Sequence, residues 1–251
     1  MVGFFALTAK ILCLLVLLGG VGLLGCAGYR FTVQSGHFTL KQLIILGVSD
    51  EFAAELRILA LPDPAKKPNL LFIKADRIKE TLLKHRSIES VSVTKRYPNT
   101  LIIRARERTP CAVVACGTLY LIDKDGYVLE DVDRLEGDQL RFPFITGVKV
   151  GEIDLGQPIR TKGVLTALDL YRCVEQTSPR MARQLSEIRV ERDESLTAIL
   201  AGGVEVRMGK HDFSERLAAL ELFVKRFGQM DRFEYLDLRF DDQIVYRERN
   251  G

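Results

Sequence analysis

Tryptophan is absent from the 251 residues, only three are histidine and five cysteine, and neither sign of charge dominates, with 36 Lys+Arg against 33 Asp+Glu. Each shortage excludes something. Residues 1–30 hold two bases, Lys10 and Arg30, and no acid, so the other 221 residues carry 34 bases and 33 acids. A body so balanced lacks the basic surface that non-specific nucleic-acid binding needs, and no nucleic-acid partner is expected. The histidines His37, His85 and His211 are scattered, and no CxxC stands near any of them, so no metal site is expected. GxSxG, HExxH and P-loop patterns are missing. The adjacent carboxylates Glu130-Asp131 and Asp241-Asp242 read as solvated turn residues, and His85, at the end of a helical pattern, as a cation complementing the helix dipole. No catalytic residue, cofactor or enzymatic activity is therefore expected. With 47% hydrophobic and 27% charged residues, a mainly disordered chain is also excluded.

Charge is missing altogether from residues 11–29, the strongest local signal in the chain. Nineteen helical residues at about 1.5 Å each span roughly 28 Å, a bilayer hydrocarbon core. Tyr29 and Phe31 beside Arg30 form an interfacial anchor. The expected order is a short cytoplasmic tail (1–10), one transmembrane helix in the lipid bilayer (11–29), a polar linker (30–36) and a large body outside the cytoplasm. The linker's Ser35-Gly36 is expected to stop the helix. Two alternatives stay open, a cleaved signal and a lipoprotein carrying its anchor on Cys26 within Leu23-Leu24-Gly25-Cys26. Beyond the apolar run only Cys111, Cys116 and Cys173 remain, an odd number. Cys111 and Cys116, five apart on a strand, are expected on opposite faces, and all three as small buried hydrophobes.

The body reads as two blocks. In the first, a strand over 38–47 ends at Gly47. A helix capped by Ser49 follows, with Phe52, Leu56 and Leu59 on one face. Then come a Pro-rich loop, a helix over 75–84 with Ile78, Leu82 and Leu83 inward, and strands over 88–96 and 101–107 joined at Tyr97-Pro98-Asn99. This β-α-α-β-β block is followed by strands over 111–116, 118–123, 127–130 and 142–146. A helix over 160–175 leads to strands over 186–191, 196–201 and 204–208. A helix over 212–228 has Phe213, Leu217, Leu220, Val224 and Phe227 at helical spacing. Strands over 234–240 and 243–248 come last. The fold class is α+β: a single N-terminal transmembrane helix, then the β-α-α-β-β domain, then a mostly antiparallel β domain with two helices.

Several segments carry a family resemblance in their order along the chain. They are Phe38-x-Leu40 before Gly47, Asn69-Leu-Leu-Phe-Ile, Lys95-Arg96-x-Pro98-x-Thr100-Leu101-x-Ile103, Glu107-Arg108-x-Pro110, Leu121-Ile122-Asp123-x-Asp125-Gly126 and Asp237-Leu238-Arg239-Phe240. With the preceding apolar helix, they resemble the FtsQ/DivIB family of bacterial cell-division proteins. The resemblance implies a POTRA domain over 37–108 and a β domain over 109–251. It implies a single-pass protein of the cell inner membrane at the division septum, with a cytoplasmic N-terminus and a periplasmic bulk. It also implies partners of the FtsB and FtsL type and other divisome membrane proteins, and a scaffolding link to septal peptidoglycan synthesis. The runner-up is a POTRA-bearing outer-membrane assembly or translocation component.

The end of the chain is the best candidate site. A terminal strand at a sheet edge offers unpaired N–H and C=O groups to a partner strand. Together with the resemblance, this implicates Arg239, Phe240, Asp242, Gln243, Ile244, Val245, Tyr246 and Arg247 in partner binding. Ile244 and Tyr246 are expected on one face and Val245 on the other, with Leu236, Leu238 and Phe240 facing the core from the strand before. Proline at Val245 is expected to remove a donor that strand addition uses.

Overall fold

The computed structural model describes residues 2–34, 36–61, 63, 66–149, 151, 153–228, 230–240 and 243–249, the side chains of 2–13, 33 and 34 excepted. The chain divides into two compact units, Met1–Glu107 and Arg108–Gly251.

The first unit begins with α1 (Val2–Gln34). Within it, Leu14–Thr32 is long and apolar enough to cross a membrane, and every side chain from Leu14 to Phe31 is exposed. An apolar helix bare of protein on all sides has no core to bury its surface, and lipid is the solvent that suits it. The helix runs further than the expected linker allows. Nothing in Arg30–Gln34 breaks it, and the Thr32 hydroxyl donates back to the carbonyls of Gly28 and Tyr29. Gly36, at φ +66°, lies just past its end.

The rest of this unit is β1 (Gln42–Leu46), α2 (Asp50–Ala60), α3 (Ala75–Leu83), β2 (Ile88–Arg96) and β3 (Thr100–Glu107). The sheet order is β1-β3-β2, with β1 parallel and β2 antiparallel to β3. Alternation in β3 works as the sequence implies. Leu101, Ile103 and Ala105 are buried, while Arg104 and Arg106 reach solvent. Ser49 caps α2, its hydroxyl accepting from the Phe52 N–H. Gly47 sits at φ +88°, and a Cβ there would lie 2.4 Å from the Ala105 carbonyl oxygen, so only glycine lets β1 turn into α2 this close to β3. Three details differ from expectation. The first strand is short, because residues before Gln42 bond instead to Pro68 and Asn99 carbonyls. Leu83, in the last turn of α3, is exposed. His85 reaches across to α2: its Nε2 lies 3.1 Å from Glu55 and its Nδ1 accepts from the Ser87 N–H, a link between helices.

The second unit is a sheet covered by helices. Its elements are β4 (Pro110–Ala115), β5 (Leu119–Asp123), β6 (Val128–Val132), β7 (Phe144–Thr146), α4 (Lys162–Thr177), α5 (Pro179–Ala182), β8 (Leu185–Val190), β9 (Leu196–Leu200), β10 (Glu205–Gly209), α6 (Phe213–Phe227), β11 (Phe233–Asp237) and β12 (Val245–Glu248). Among the described residues they form one nine-stranded sheet in the order β12-β11-β10-β9-β8-β7-β4-β5-β6. Antiparallel neighbours predominate, and the pairs β4–β7, β7–β8 and β10–β11 are parallel. The β7–β8 and β10–β11 steps need a crossover, and α4 and α6 supply it. Val164, Leu168 and Val174 of α4 and Phe213, Leu217, Leu220 and Phe223 of α6 pack onto the core face of the sheet. Phe223 falls outside the spacing read from sequence and takes the place of Phe227, which is partly exposed. Glu130 and Asp131 lie on strand β6 rather than in a turn, and both are exposed.

The cysteines also differ from expectation. Cys26, Cys111, Cys116 and Cys173 are free thiols, and the last three are half-buried. A bulge between Pro110 and Ala112 reverses the side on which Cys111 emerges, so Cys111 and Cys116 both pack against the same core. Burial, reinforced by Asp123 and Glu175, pushes the Cys111 thiol up to about 12, which leaves it protonated and a poor nucleophile.

Candidate partner-binding edge

Among the described residues β12 is the last strand of the sheet and pairs on one side only, antiparallel to β11, with Asp237 opposite Val245, Leu236 opposite Tyr246 and Tyr235 opposite Arg247. The direction of its free backbone groups follows from two bonds. The Arg249 N–H donates to the Arg232 carbonyl, so Arg249 points its donor at β11. Donors alternate along a strand, so Arg247 and Val245 point the same way. On the other side of β11, the Leu238 N–H donates to Arg207, which aims Leu236 at β10 and Tyr235 and Asp237 at β12, a consistent pattern. The outward donors of β12 are therefore those of Tyr246 and Glu248. Proline at Val245 removes an inward bond, so it loosens β12 itself and does not block the free edge.

The side chains divide by face. Tyr246 packs its ring on Phe223, Phe227 and Phe233 at centroid distances of 5.4, 6.1 and 5.3 Å. Half-buried Ile244 joins the same core. Together they staple the edge strand to α6. On the opposite face, Tyr235 has the Arg207 guanidinium 4.4 Å and the Arg247 guanidinium 5.2 Å from its ring centre. Arg247 also lies 3.6 Å from Glu234. Val245 and Gln243 are exposed. Phe240, expected on the core face, is 48% exposed, because β11 ends at Asp237 and the chain leaves the ladder. Asp242 lies outside the described residues. Tyr235 and Arg207 belong to this edge but escape a sequence reading centred on the last strand. Alternation along β11 is the signal that points to Tyr235.

Asp237 causes that early end. Its carboxylate is buried and accepts from the Arg239 backbone N–H (3.1 Å), Nε (2.8 Å) and Nη2 (2.6 Å), with Arg207 Nη1 3.6 Å away. The chain thus folds Arg239 back onto its own strand, and the guanidinium expected to meet a partner already holds an internal carboxylate. Burial alone would raise the Asp237 pKa, but the bonds from Arg239 and the two nearby guanidinium charges hold it below the usual carboxylate range. A carboxyl whose pKa is lower folded than unfolded contributes stability above about pH 3.9, and that stability is lost as pH falls through the lower folded value. Urea midpoints measured against pH are expected to fall below about pH 4 in the parent and to fall less in Asp237→Asn, which is the less stable chain at neutral pH.

Among the described residues no group of three or more His, Cys, Asp or Glu could hold a metal ion.

Comparison with known proteins places these units. Residues 38–108 match the model of the POTRA domain, FtsQ-type, and residues 112–239 match that of the FtsQ/DivIB C-terminal domain. The second match stops just before Phe240, so β12 lies beyond it. The cell division protein FtsQ of Geotalea daltonii is 29% identical over 98% of this chain and 89% of its own length. That of Myxococcus fulvus is 30% identical, covering 83% of this chain and 73% of the relative. That of Rickettsia prowazekii is 30% identical, covering 84% and 72%. With an apolar N-terminal helix, a POTRA-type domain and a sheet-rich domain bearing helices in that order, the chain belongs to the FtsQ/DivIB family of cell division proteins.

Proposed function

We propose that this protein is a bitopic scaffold of the divisome. It captures an FtsB- or FtsL-type partner by strand addition on β12 and links early division proteins to septal peptidoglycan synthesis. In this reading α1 crosses the cell inner membrane, with the N-terminus cytoplasmic, the POTRA domain over 37–108 and the β domain over 109–251 periplasmic, and the protein at the division septum. No catalytic step is required of it. The observation that carries the proposal is the one-sided pairing of β12, which ends a nine-stranded sheet yet is stapled to α6 through Tyr246. A strand held in place with a bare outer edge is a template for another chain. The exposed charges of Arg247, Glu248 and Arg249 deter pairing between identical copies while leaving the backbone open.

A photo-crosslinking residue in place of Val245 tests this in growing cells. The expected product is a covalent adduct with the FtsB-type chain, absent when the same residue replaces exposed Ser92 on β2. Adducts equally abundant at both positions, or none at 245 in dividing cells, would overturn it. Depletion of the protein is expected to give filaments without septa.

A further inference from the structure

We propose that the POTRA-type unit stands on the bilayer through an aromatic and basic foot that binds anionic lipid headgroups. The inference rests on α1 being the membrane anchor and adds a second, peripheral contact.

The foot is built from three stretches that the fold brings to one end of the unit. The Leu40 N–H donates to the Pro68 carbonyl and the Leu70 N–H to that of Phe38. The Lys41 N–H donates to Asn99, and Lys95 Nζ reaches the Leu71 carbonyl at 3.2 Å. Residues 36–41, 66–74 and 95–99 are therefore neighbours. They contain Lys41, Lys66, Lys67, Lys74, Lys95 and Arg96 and no acid at all. The body as a whole is balanced in charge, so this is a local concentration of one sign. Lys66 has a partner in Asp63 at 3.6 Å, but both are solvent-exposed, and such a pair is readily exchanged for a phosphate.

The depth of the foot is set by one bond. Asn69 Nδ2 donates to the Thr32 carbonyl at 2.7 Å, and Thr32 is the last residue of the membrane-crossing stretch. Asn69 opens a turn closed by the Phe72 N–H on the Asn69 carbonyl, with the Asn69 side chain accepting from Leu71. A turn of that kind holds the Phe72 Cα within about 7 Å of the Asn69 Cα. Phe72 is thus held close to the Thr32 end of α1, where the helix leaves the bilayer, and it is 64% exposed. Tyr97, in edge contact with Phe38 at 6.3 Å, is also exposed. Exposed aromatic rings among lysines suit the membrane interface, where rings sit among headgroups and bases meet anionic phosphate. A soluble peptide would find the same charge, but continuity with α1 favours the bilayer.

The absence of tryptophan makes the test clean. The full-length Phe72→Trp protein is reconstituted in nanodiscs of zwitterionic lipid, or of zwitterionic lipid mixed with phosphatidylglycerol, each with brominated acyl chains. The expected result is a blue-shifted emission and loss of intensity to bromine, larger with phosphatidylglycerol. That difference disappears in Phe72→Trp carrying Lys66→Glu and Lys67→Glu. Leu83→Trp, exposed in the last turn of α3, is expected to stay unquenched. Water-like emission from Trp at 72 in both lipids overturns the proposal. Equal quenching in both overturns its anionic selectivity. A chain that fails to enter nanodiscs at all refutes the anchor reading instead.

Discussion

Glu248→Pro is expected to weaken capture of an FtsB-type partner about ten- to a hundredfold, or about 1.4–2.7 kcal/mol, and to leave the melting of the protein unchanged. The Glu248 N–H is one of two donors that β12 aims away from the sheet. Proline removes it and leaves the partner carbonyl that would have accepted it unpaired, the costly half of a broken hydrogen bond. In the free protein that donor faces water, and proline is tolerated on an edge whose N–H side faces solvent. The Glu248 side chain contacts Arg232 at 2.7 Å in an exposed pair, so Glu248→Gln controls for the lost charge and is expected to bind almost normally. Val245→Pro is the instructive contrast. It removes a bond to β11, so its loss of binding comes with fraying of β12, visible as faster amide exchange at Arg247 and Arg249, whose N–H groups point inward. Tyr246→Glu behaves similarly, because it takes the ring from its packing on Phe223 and Phe233. Calorimetric titration with the partner's periplasmic segment separates these variants. Unchanged affinity in Glu248→Pro would refute strand addition.

Asp123→Ala is expected to destabilise the second unit by about 3–5 kcal/mol, the range for removing one partner of a buried ion pair. Asp123 is buried at the end of β5. One carboxylate oxygen accepts from the Asp125 and Tyr127 N–H groups at 2.9 and 2.8 Å, and the other meets Arg108 Nη1 at 2.5 Å. The Arg108 guanidinium lies 3.6 Å above the Tyr127 ring and is itself largely buried. Truncation strips the turn at Asp123–Tyr127 of its organiser and takes a buried carboxylate from the Arg108 guanidinium. Gly126, at φ +81°, still lets the hairpin turn, but the register of β6 against β5 loses its main polar restraint. Replacing both partners, Arg108→Leu with Asp123→Ala, is expected to recover part of the loss, because no buried charge then remains. Urea unfolding of the four chains measures the coupling.

Much of this was written into the residues. Alternation over 101–107 placed Leu101, Ile103 and Ala105 inside and the arginines outside, because a strand turns successive side chains to opposite faces. The Asp-x-Asp-Gly run announced its turn, since carboxylate oxygens accept from backbone two and four residues on and glycine permits positive φ. Nineteen uncharged residues marked α1, because a helix of that length matches the thickness of a bilayer's hydrocarbon core.

Other features belong to the tertiary structure alone. Periodicity reports which face a residue takes, never which strand becomes its neighbour. That β12 is an edge depended on β10 and β11 running parallel around α6, a pairing between segments more than twenty residues apart. The bulge at Pro110–Ala112 turned Cys111 onto the face of Cys116, and one extra residue in a ladder leaves no trace in composition. Arg239 looked like a free cation until the buried Asp237 carboxylate folded it back. The outward donors at Tyr246 and Glu248 came from hydrogen bonds on both sides of β11. Local sequence determined the helices, the turns and the inner faces through short-range sterics and burial. The binding edge was decided by long-range pairing, which set which backbone groups remained unpaired.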